Sequence, residues 1–196
     1  VAQIVQIPGV SGLDNNSILF DFREGDDSAL PELAEGCHFA SVTGFNIAIL
    51  RSSDRHFGYK RRIHIWLADG DYRNANLMIL LAYILIGHPE WKSAEIRVFV
   101  AGDEAGVEAR ADRLSELIAQ GRTPISAHNV ERVRLQKDKR LDILVSERSA
   151  EADLVITGFS PKKVQGDEGV YLSGFPGIHD LLFVHAGQPI LISSTS

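Results

Sequence analysis

Cysteine is nearly absent: the 196-residue chain contains one, Cys37, and therefore forms no disulfide within itself. This usage fits a reducing compartment. The residues around Cys37 do not resemble those of cysteine proteases, so a small buried thiol is the expected role. Basic residues are outnumbered as well, since 20 Lys and Arg face 26 Asp and Glu and the net charge is −6. A general nucleic-acid binder would present a basic face, and that class of function is disfavoured.

Long apolar runs are also missing. The ten-residue apolar run at 77–86 is far shorter than the roughly 20 residues that a membrane-spanning helix needs. The first residues form neither the basic nor the apolar region of a signal peptide. We expect a soluble segment, and its start at Val1 rather than at Met predicts that it belongs to a longer protein. The composition, 44% hydrophobic and 23% charged, is typical of an ordered globular domain.

A β-α-β unit is predicted between residues 62 and 100. Two short apolar segments, 62–68 and 95–100, flank a long apolar helix at 72–87, which is typical of parallel strands joined by a right-handed crossover. The second half of this helix is apolar on every side. We therefore expect it to be covered by the sheet and also by a neighbouring helix, a second domain or a second copy of the protein. The candidate interface residues are Leu77, Leu80, Leu81 and Ile84.

The other predicted elements complete an α/β domain. Strands are predicted at 15–22, 45–50, 125–133, 152–158 and 189–193, and helices at 28–40, 104–120, 138–150 and 178–185. Ser28 and Asp103 are expected to cap helices. The loop at 52–60 is too short for a helical crossover and permits an antiparallel pair of the strands on either side of it. The alternation after Arg62 predicts a mostly parallel sheet with helices on both faces, plus an antiparallel or added strand near the N-terminal side.

One pattern, a residue pair that ends in a polar residue followed by a largely apolar run, occurs twice, at 16–22 and at 152–158. Such a repeat suggests an internal duplication. Under this hypothesis residues 1–25 are the last strand of a preceding half-domain or an N-terminal extension, and residues 26–196 form the α/β domain.

Motifs for phosphate binding and catalysis are not intact. The chain lacks Gly-x-Gly-x-x-Gly and the P-loop pattern. Gly174, Gly177 and Gly187 nearly match the glycine spacing of universal stress proteins, an α/β nucleotide-binding family. However, Gly187 is predicted to end a helix, whereas phosphate-binding glycines precede one. His179 and His185 are too far apart for a shared metal site. We expect no cofactor, no metal and no catalytic residue.

Asp69, Gly70 and Asp71 are the only candidate ligand residues. They follow the carboxyl end of a predicted strand, where open α/β sheets bind small molecules. Two acids there could hold a cation or a ribose hydroxyl. The favoured alternative is a tight turn in which Asp71 caps the next helix.

Basic residues form two clusters, which are usually solvated surface. A second interpretation is a face toward anionic lipid head groups or toward the cytosolic loops of a membrane partner. The members are Arg51, Arg55, Lys60, Arg61 and Arg62, then Arg132, Arg134, Lys137, Lys139 and Arg140.

Four segments resemble the C-terminal cytosolic domain of the cation-chloride cotransporters, the sodium-potassium-chloride and potassium-chloride carriers. Residues 6–22 are similar to a glycine-rich turn and strand of that family, and 45–51 to its next strand. Residues 63–71 are similar to its tryptophan-containing strand and acidic turn. The segment 91–99, Trp-Lys-Ser-Ala-Glu-Ile-Arg-Val-Phe, is the most specific. The resemblance covers about residues 6–115 well and 152–193 loosely.

The resemblance implies a non-catalytic, universal-stress-like α/β domain on the cytoplasmic side of the membrane, often dimeric, that regulates transport and assembly. Its partners would be its own transmembrane carrier domain, a second copy and the cytosolic membrane face. The compact region 120–150 and the absence of a basic ending depart from the family and indicate a prokaryotic or divergent member. Two alternatives remain: a stand-alone nucleotide-binding protein of the universal stress type, and an α/β enzyme that uses Asp69 and Asp71.

Overall fold

The computed structural model describes residues 15–68, 70–119, 125–135 and 139–188. In that part the strands are β1 (Ser17–Arg23), β2 (Asn46–Ser52), β3 (Arg62–Leu67), β4 (Glu95–Gly102), β5 (Val130–Arg134), β6 (Leu154–Gly158) and β7 (Leu181–His185). The α-helices are α1 (Leu30–Val42), α2 (Ala75–Ile86), α3 (Glu104–Ala119), α4 (Leu141–Ser149) and α5 (Pro161–Gly166). None of these helices combines the length and the apolarity needed to traverse a bilayer.

The strands form one sheet in the order β1-β2-β7-β6-β3-β4-β5. β3 to β7 are parallel to one another, β2 is antiparallel to β7, and β1 is parallel to β2. The prediction of a mostly parallel α/β sheet with an antiparallel addition on the N-terminal side is confirmed. The short loop between β2 and β3 permits an antiparallel pair, but these strands do not pair, because β7 and β6 lie between them.

Helices cover both faces of the sheet. On the face we call the first face, α1, α4 and α5 enclose aromatic side chains, among them Trp66 stacked on Phe99 with ring centroids 4.5 Å apart. On the opposite, second face, α2 and α3 pack over aliphatic side chains of β3, β4 and β6. Every residue of β6 is buried, because that strand lies inside the sheet with helices over both sides. The burial of Cys37 in α1 on the first face fits its expected role and raises the pKa of its thiol to about 12.

Two local predictions are wrong. Residues 181–185, predicted within a helix, form the strand β7. Their apolar run fits either a buried helix or a buried strand, and pairing with β2 and β6 on its two sides makes it a strand. Ser28 does not cap α1, since it lies in a 3-10 turn and its hydroxyl donates to Asp26 Oδ1 at 2.6 Å. Asp103 does cap α3, since its Oδ1 accepts the N–H of Gly106 at 2.8 Å. The strand predicted at 189–193 lies outside the described residues.

The connections on the two sides of the β2–β7 pair follow the pattern that a local two-fold axis between these strands would produce. β1-α1-β2 and β6-α5-β7 are both parallel strand–helix–strand units, and they meet through the antiparallel pair of β2 and β7. α1 and α5 lie on the same first face and pack against each other. A rotation about an axis perpendicular to the sheet reverses strand direction but preserves the face, which is the relation that these two units show. β1 and β6 are thus equivalent strands, as are β2 and β7.

Candidate functional site

The carboxyl end of β3 carries the predicted ligand residues, of which Asp69 lies outside the described part. Gly70 has a φ of 89°, a left-handed conformation that favours glycine, and it starts a 3-10 turn. Asp71 is buried: its Oδ2 accepts the N–H of Ala68 at 2.9 Å, and its Oδ1 lies 3.5 Å from the side-chain amide nitrogen of Asn74. The Asp71 carboxylate therefore stabilises its own turn.

The same turn is joined to the ends of two other strands. Asn74 Oδ1 accepts the N–H of Ala186, just after β7, at 2.9 Å. A side chain at Gly158, the last residue of β6, would place its Cβ 1.8 Å from Asp71 Oδ1, so only glycine leaves room for this carboxylate. The switch point between β3 and β6 is where α/β sheets often bind ligands. In this protein the buried polar side chains of Asp71 and Asn74 lie there.

An apolar groove of about 350 Å³ lies on the second face, beside α2. We call it the α2 groove. One wall consists of aliphatic side chains of α2, and the other of β1 and β2, whose second face carries no helix in the described part of the chain. Its lining residues include Leu77, Leu81, Ile84 and Leu85 from α2, and Leu19, Ala48 and Leu50 from the two strands.

The four predicted interface residues take different positions on α2. Leu77 is buried in the second-face core and also reaches the groove, and Leu81 is half-buried at the wall of the groove. Ile84 lines the groove and is 60% exposed, whereas Leu80 is half-buried and does not line it. The sequence predictions missed Leu19, which is 65% exposed on the opposite wall. On its side of β1 Leu19 lies between the polar Ser17 and Asp21, and an isolated apolar residue on an otherwise polar strand face is the signal that could have identified it.

The two basic clusters are largely neutralised by acids. Arg132 lies 3.1 Å from Glu108, Arg134 lies 2.9 Å from Glu104, and Lys139 lies 2.6 Å from Glu147. In the first cluster Lys60 pairs with Glu90 at 2.6 Å, while Arg61 is exposed. Lys137 lies outside the described residues.

Arg51 was expected at the surface and is instead 3% exposed. Its guanidinium donates to four carbonyl oxygens of the segment after α5, including that of Ile178 at 2.7 Å. Burial lowers the pKa of Arg51. This arginine fixes the glycine-rich loop to β2 and is not available to a membrane or a partner.

A second concavity of about 420 Å³ lies between α4 and α5. Its basic groups are engaged within the chain: Arg140 pairs with Asp142 at 2.5 Å, and the Lys163 ammonium lies 4.0 Å from the centre of the Tyr171 ring. Burial raises the pKa of Tyr171. Among the described residues, no group of three or more His, Cys, Asp or Glu side chains could hold a metal ion.

No family model matches this chain, and no curated protein matches it. Solved structures do. The cytoplasmic domain of a prokaryotic cation chloride cotransporter aligns with a TM-score of 0.59 and 17% identity, over 87% of this chain and 64% of that one. A universal stress protein from Archaeoglobus fulgidus DSM 4304 aligns with a TM-score of 0.54 and 11% identity, over 84% and 59%. A putative universal stress protein from Pseudomonas aeruginosa UCBPP-PA14 aligns with a TM-score of 0.52 and 17% identity, over 84% and 62%.

These likenesses establish the class of fold: the chain has a universal-stress-like α/β fold, which the cotransporter domain shares. This chain spans less than two thirds of the length of each of the three structures. At such low identity the fold is shared without a shared activity following from it.

Proposed function

We propose that this chain is a non-catalytic, cytosolic regulatory and dimerisation domain of a secondary-active cation-chloride cotransporter of a prokaryotic or divergent kind. The observation that supports the proposal most is the alignment with the cotransporter cytoplasmic domain over 87% of this chain. The segments that resemble that family, above all 91–99, agree with it. Ion-binding residues would belong to the transmembrane carrier, so none are assigned here.

The surface of the molecule supports a role in protein assembly. At the carboxyl edge of the sheet, where a small-molecule site would be expected, Asp71 is occupied by its own turn. An open apolar groove lies beside α2 instead, and exposed apolar surface bounded by polar residues is typical of protein interfaces. The proposed partners are the chain's own carrier domain and a second copy of the protein. Contact with the cytosolic membrane face would involve the loop before β3, where Arg61 is exposed.

The proposal is tested on the native protein in its own cells. Membranes and soluble fractions are separated and blotted with an antibody against this domain. We expect a band several times larger than 21.5 kDa in the membrane fraction alone, because the domain would be tethered to its carrier. A soluble band near 21.5 kDa would overturn the proposal.

A second candidate is a stand-alone nucleotide-binding protein of the universal stress type. Two solved universal stress proteins share the fold. The sequence predicted that Gly187 ends a helix, but Gly187 follows the strand β7, so this objection to a phosphate-binding glycine is removed. Gly174 and Gly177, in contrast, weigh against this candidate. They precede the strand β7, so no helix that could bind a phosphate at its N-terminus follows them. A saturable rise in melting temperature with ATP would support this candidate. An unchanged melting temperature at millimolar ATP would dismiss it.

A further inference from the structure

The concavity between α4 and α5, which we call the α4–α5 cavity, is lined by two aromatic residues. The rings of Tyr171 and Phe175 have centroids 5.9 Å apart and planes at 81° to each other. Leu141 and Val170 supply aliphatic wall, and the volume of about 420 Å³ lies in the range of small-molecule sites. Aromatic rings set at a steep angle are a usual construction of pockets that bind organic cations, because ring faces carry a negative electrostatic potential.

A cation from the chain itself already lies against one of these rings. The Lys163 Nζ is 4.0 Å from the centre of the Tyr171 ring, well within the distance of a favourable cation–π contact. Lys163 is an exposed residue of α5 and lines the same cavity. The face of Tyr171 is therefore a place where this protein holds a positive charge, and an exposed ammonium group can exchange that place for water.

The other charges of the cavity favour a cation over an anion. Arg140 and Asp142 offset each other, since the Nε and Nη2 groups of the arginine donate to the two carboxylate oxygens at 3.1 and 2.5 Å. Asp167 is different: its Oδ2 accepts the N–H of Tyr171 at 3.1 Å, and its Oδ1 has no hydrogen-bond donor among the described residues. When the Lys163 ammonium moves into solvent, the carboxylate of Asp167 leaves the cavity with a negative charge to be matched.

We propose that the α4–α5 cavity binds a small quaternary ammonium compound, whose cationic head takes the place of the Lys163 ammonium on the Tyr171 ring. A quaternary head spreads its charge over methyl groups and is weakly hydrated, which suits the aliphatic walls, whereas a primary ammonium is strongly hydrated and loses more on leaving water. Lys163 acts as an internal competitor that leaves as the ligand enters. The inference goes beyond the proposed function and does not depend on it, because the cavity lies within one chain.

Titration calorimetry of the full-length protein tests the proposal, with choline as the probe. We expect saturable binding with a Kd on the order of 1 mM, since so few ligand atoms make contact. The matched probe is 3,3-dimethylbutan-1-ol, in which carbon replaces the choline nitrogen, so that the shape is kept and the charge is lost. It should bind at least about tenfold more weakly. Equal binding of the two probes would show an apolar cavity only and would overturn the proposal. Absence of saturable choline binding at about ten times the expected Kd would overturn it as well.

A pair of lysine variants locates the binding. Lys163→Met frees the Tyr171 ring and should tighten choline binding about fivefold. Lys162→Met is the matched control: it removes the same charge from the neighbouring exposed residue, which does not line the cavity, and should leave the Kd unchanged within about twofold. Tyr171→Leu should weaken binding at least about tenfold. Equal Kd values for the two lysine variants would contradict the proposal, and this comparison decides even where Tyr171→Leu fails to fold, because both lysines are exposed.

Discussion

At the scale of single residues, three side chains on the first face share one small polar network. Ser149 Oγ lies 2.9 Å from both Trp66 Nε1 and His64 Nδ1. An indole N–H can only donate, so the serine oxygen accepts from Trp66, and the second hydrogen bond joins this hydroxyl to His64 Nδ1. Burial lowers the pKa of His64 to about 4, and the nearby charges of Arg97 and Arg62 act in the same direction.

This histidine should make stability depend on pH. The pKa of His64 is 6.5 in the unfolded reference and about 4 in the folded state, so between these values the unfolded chain binds more protons. The free energy of unfolding should therefore fall as the pH drops from 6.5 to about 4, by about 3 kcal/mol in total from this group. Urea unfolding across that range measures the slope. His64→Gln should flatten it, and an unchanged slope in this variant would assign the effect to other groups.

At the scale of elements, the connection from β2 to β3 is held by two buried aspartates. Asp180 accepts the N–H groups of Ser53 and Phe57, at 2.9 and 3.0 Å. Asp153 accepts those of Tyr59, Arg61 and Arg62, at 3.0, 2.7 and 3.0 Å. Within this loop His56, Phe57 and Lys60 adopt positive φ angles, which cost energy for residues other than glycine. The two carboxylates make such a backbone stable by accepting its N–H groups.

Asp153→Ala should consequently release the loop. Three N–H groups lose their acceptor, so we expect the free energy of unfolding to fall by about 2–4 kcal/mol. Amide exchange of Tyr59, Arg61 and Arg62 should accelerate together. Glu151→Ala is the control, because its ion pair with Arg62 is exposed and should contribute less than about 1 kcal/mol. Equal losses in the two variants would contradict the role of Asp153.

The sequence predicted those elements whose pattern is local. The buried strand β6 and the apolar helix α2 are detected by composition and length, and Asp103 by its position before a helix. The strand β7 was not predicted as a strand, because residues 181–184 are apolar at every position and periodicity cannot separate helix from strand in so short a run. The pairing of β2 was missed for the same reason, since its partner was assigned to a helix. For the α2 groove, the sequence identified the wall that α2 forms. It did not identify Leu19 and Ala48, because their place in the groove depends on which strands become neighbours in the sheet.

At the scale of the whole molecule, one sheet joins two hydrophobic clusters on its opposite faces. Trp66 belongs to the first-face cluster and Trp91 to the second-face cluster, where it packs on Phe57 with ring centroids 5.7 Å apart. Each tryptophan can therefore report the unfolding of its own face. Because β3, β4 and β6 contribute side chains to both clusters, neither face should persist without the other.

We expect one cooperative transition. The variant Trp91→Phe keeps Trp66 as its single tryptophan, and the variant Trp66→Phe keeps Trp91. The two variants differ in stability, but in each the fluorescence midpoint in urea should coincide with the midpoint measured by circular dichroism. Separate midpoints within either variant would show that the two faces unfold independently.

The antiparallel junction of β2 with β7 also has a consequence for synthesis on the ribosome. β2 emerges well before its antiparallel partner, because Ile47 pairs with His185, which lies 138 residues further along the chain. At usual elongation rates the delay is on the order of ten seconds. During that time the β1-α1-β2 unit exists without its neighbour and exposes the apolar residues that later form the first-face core.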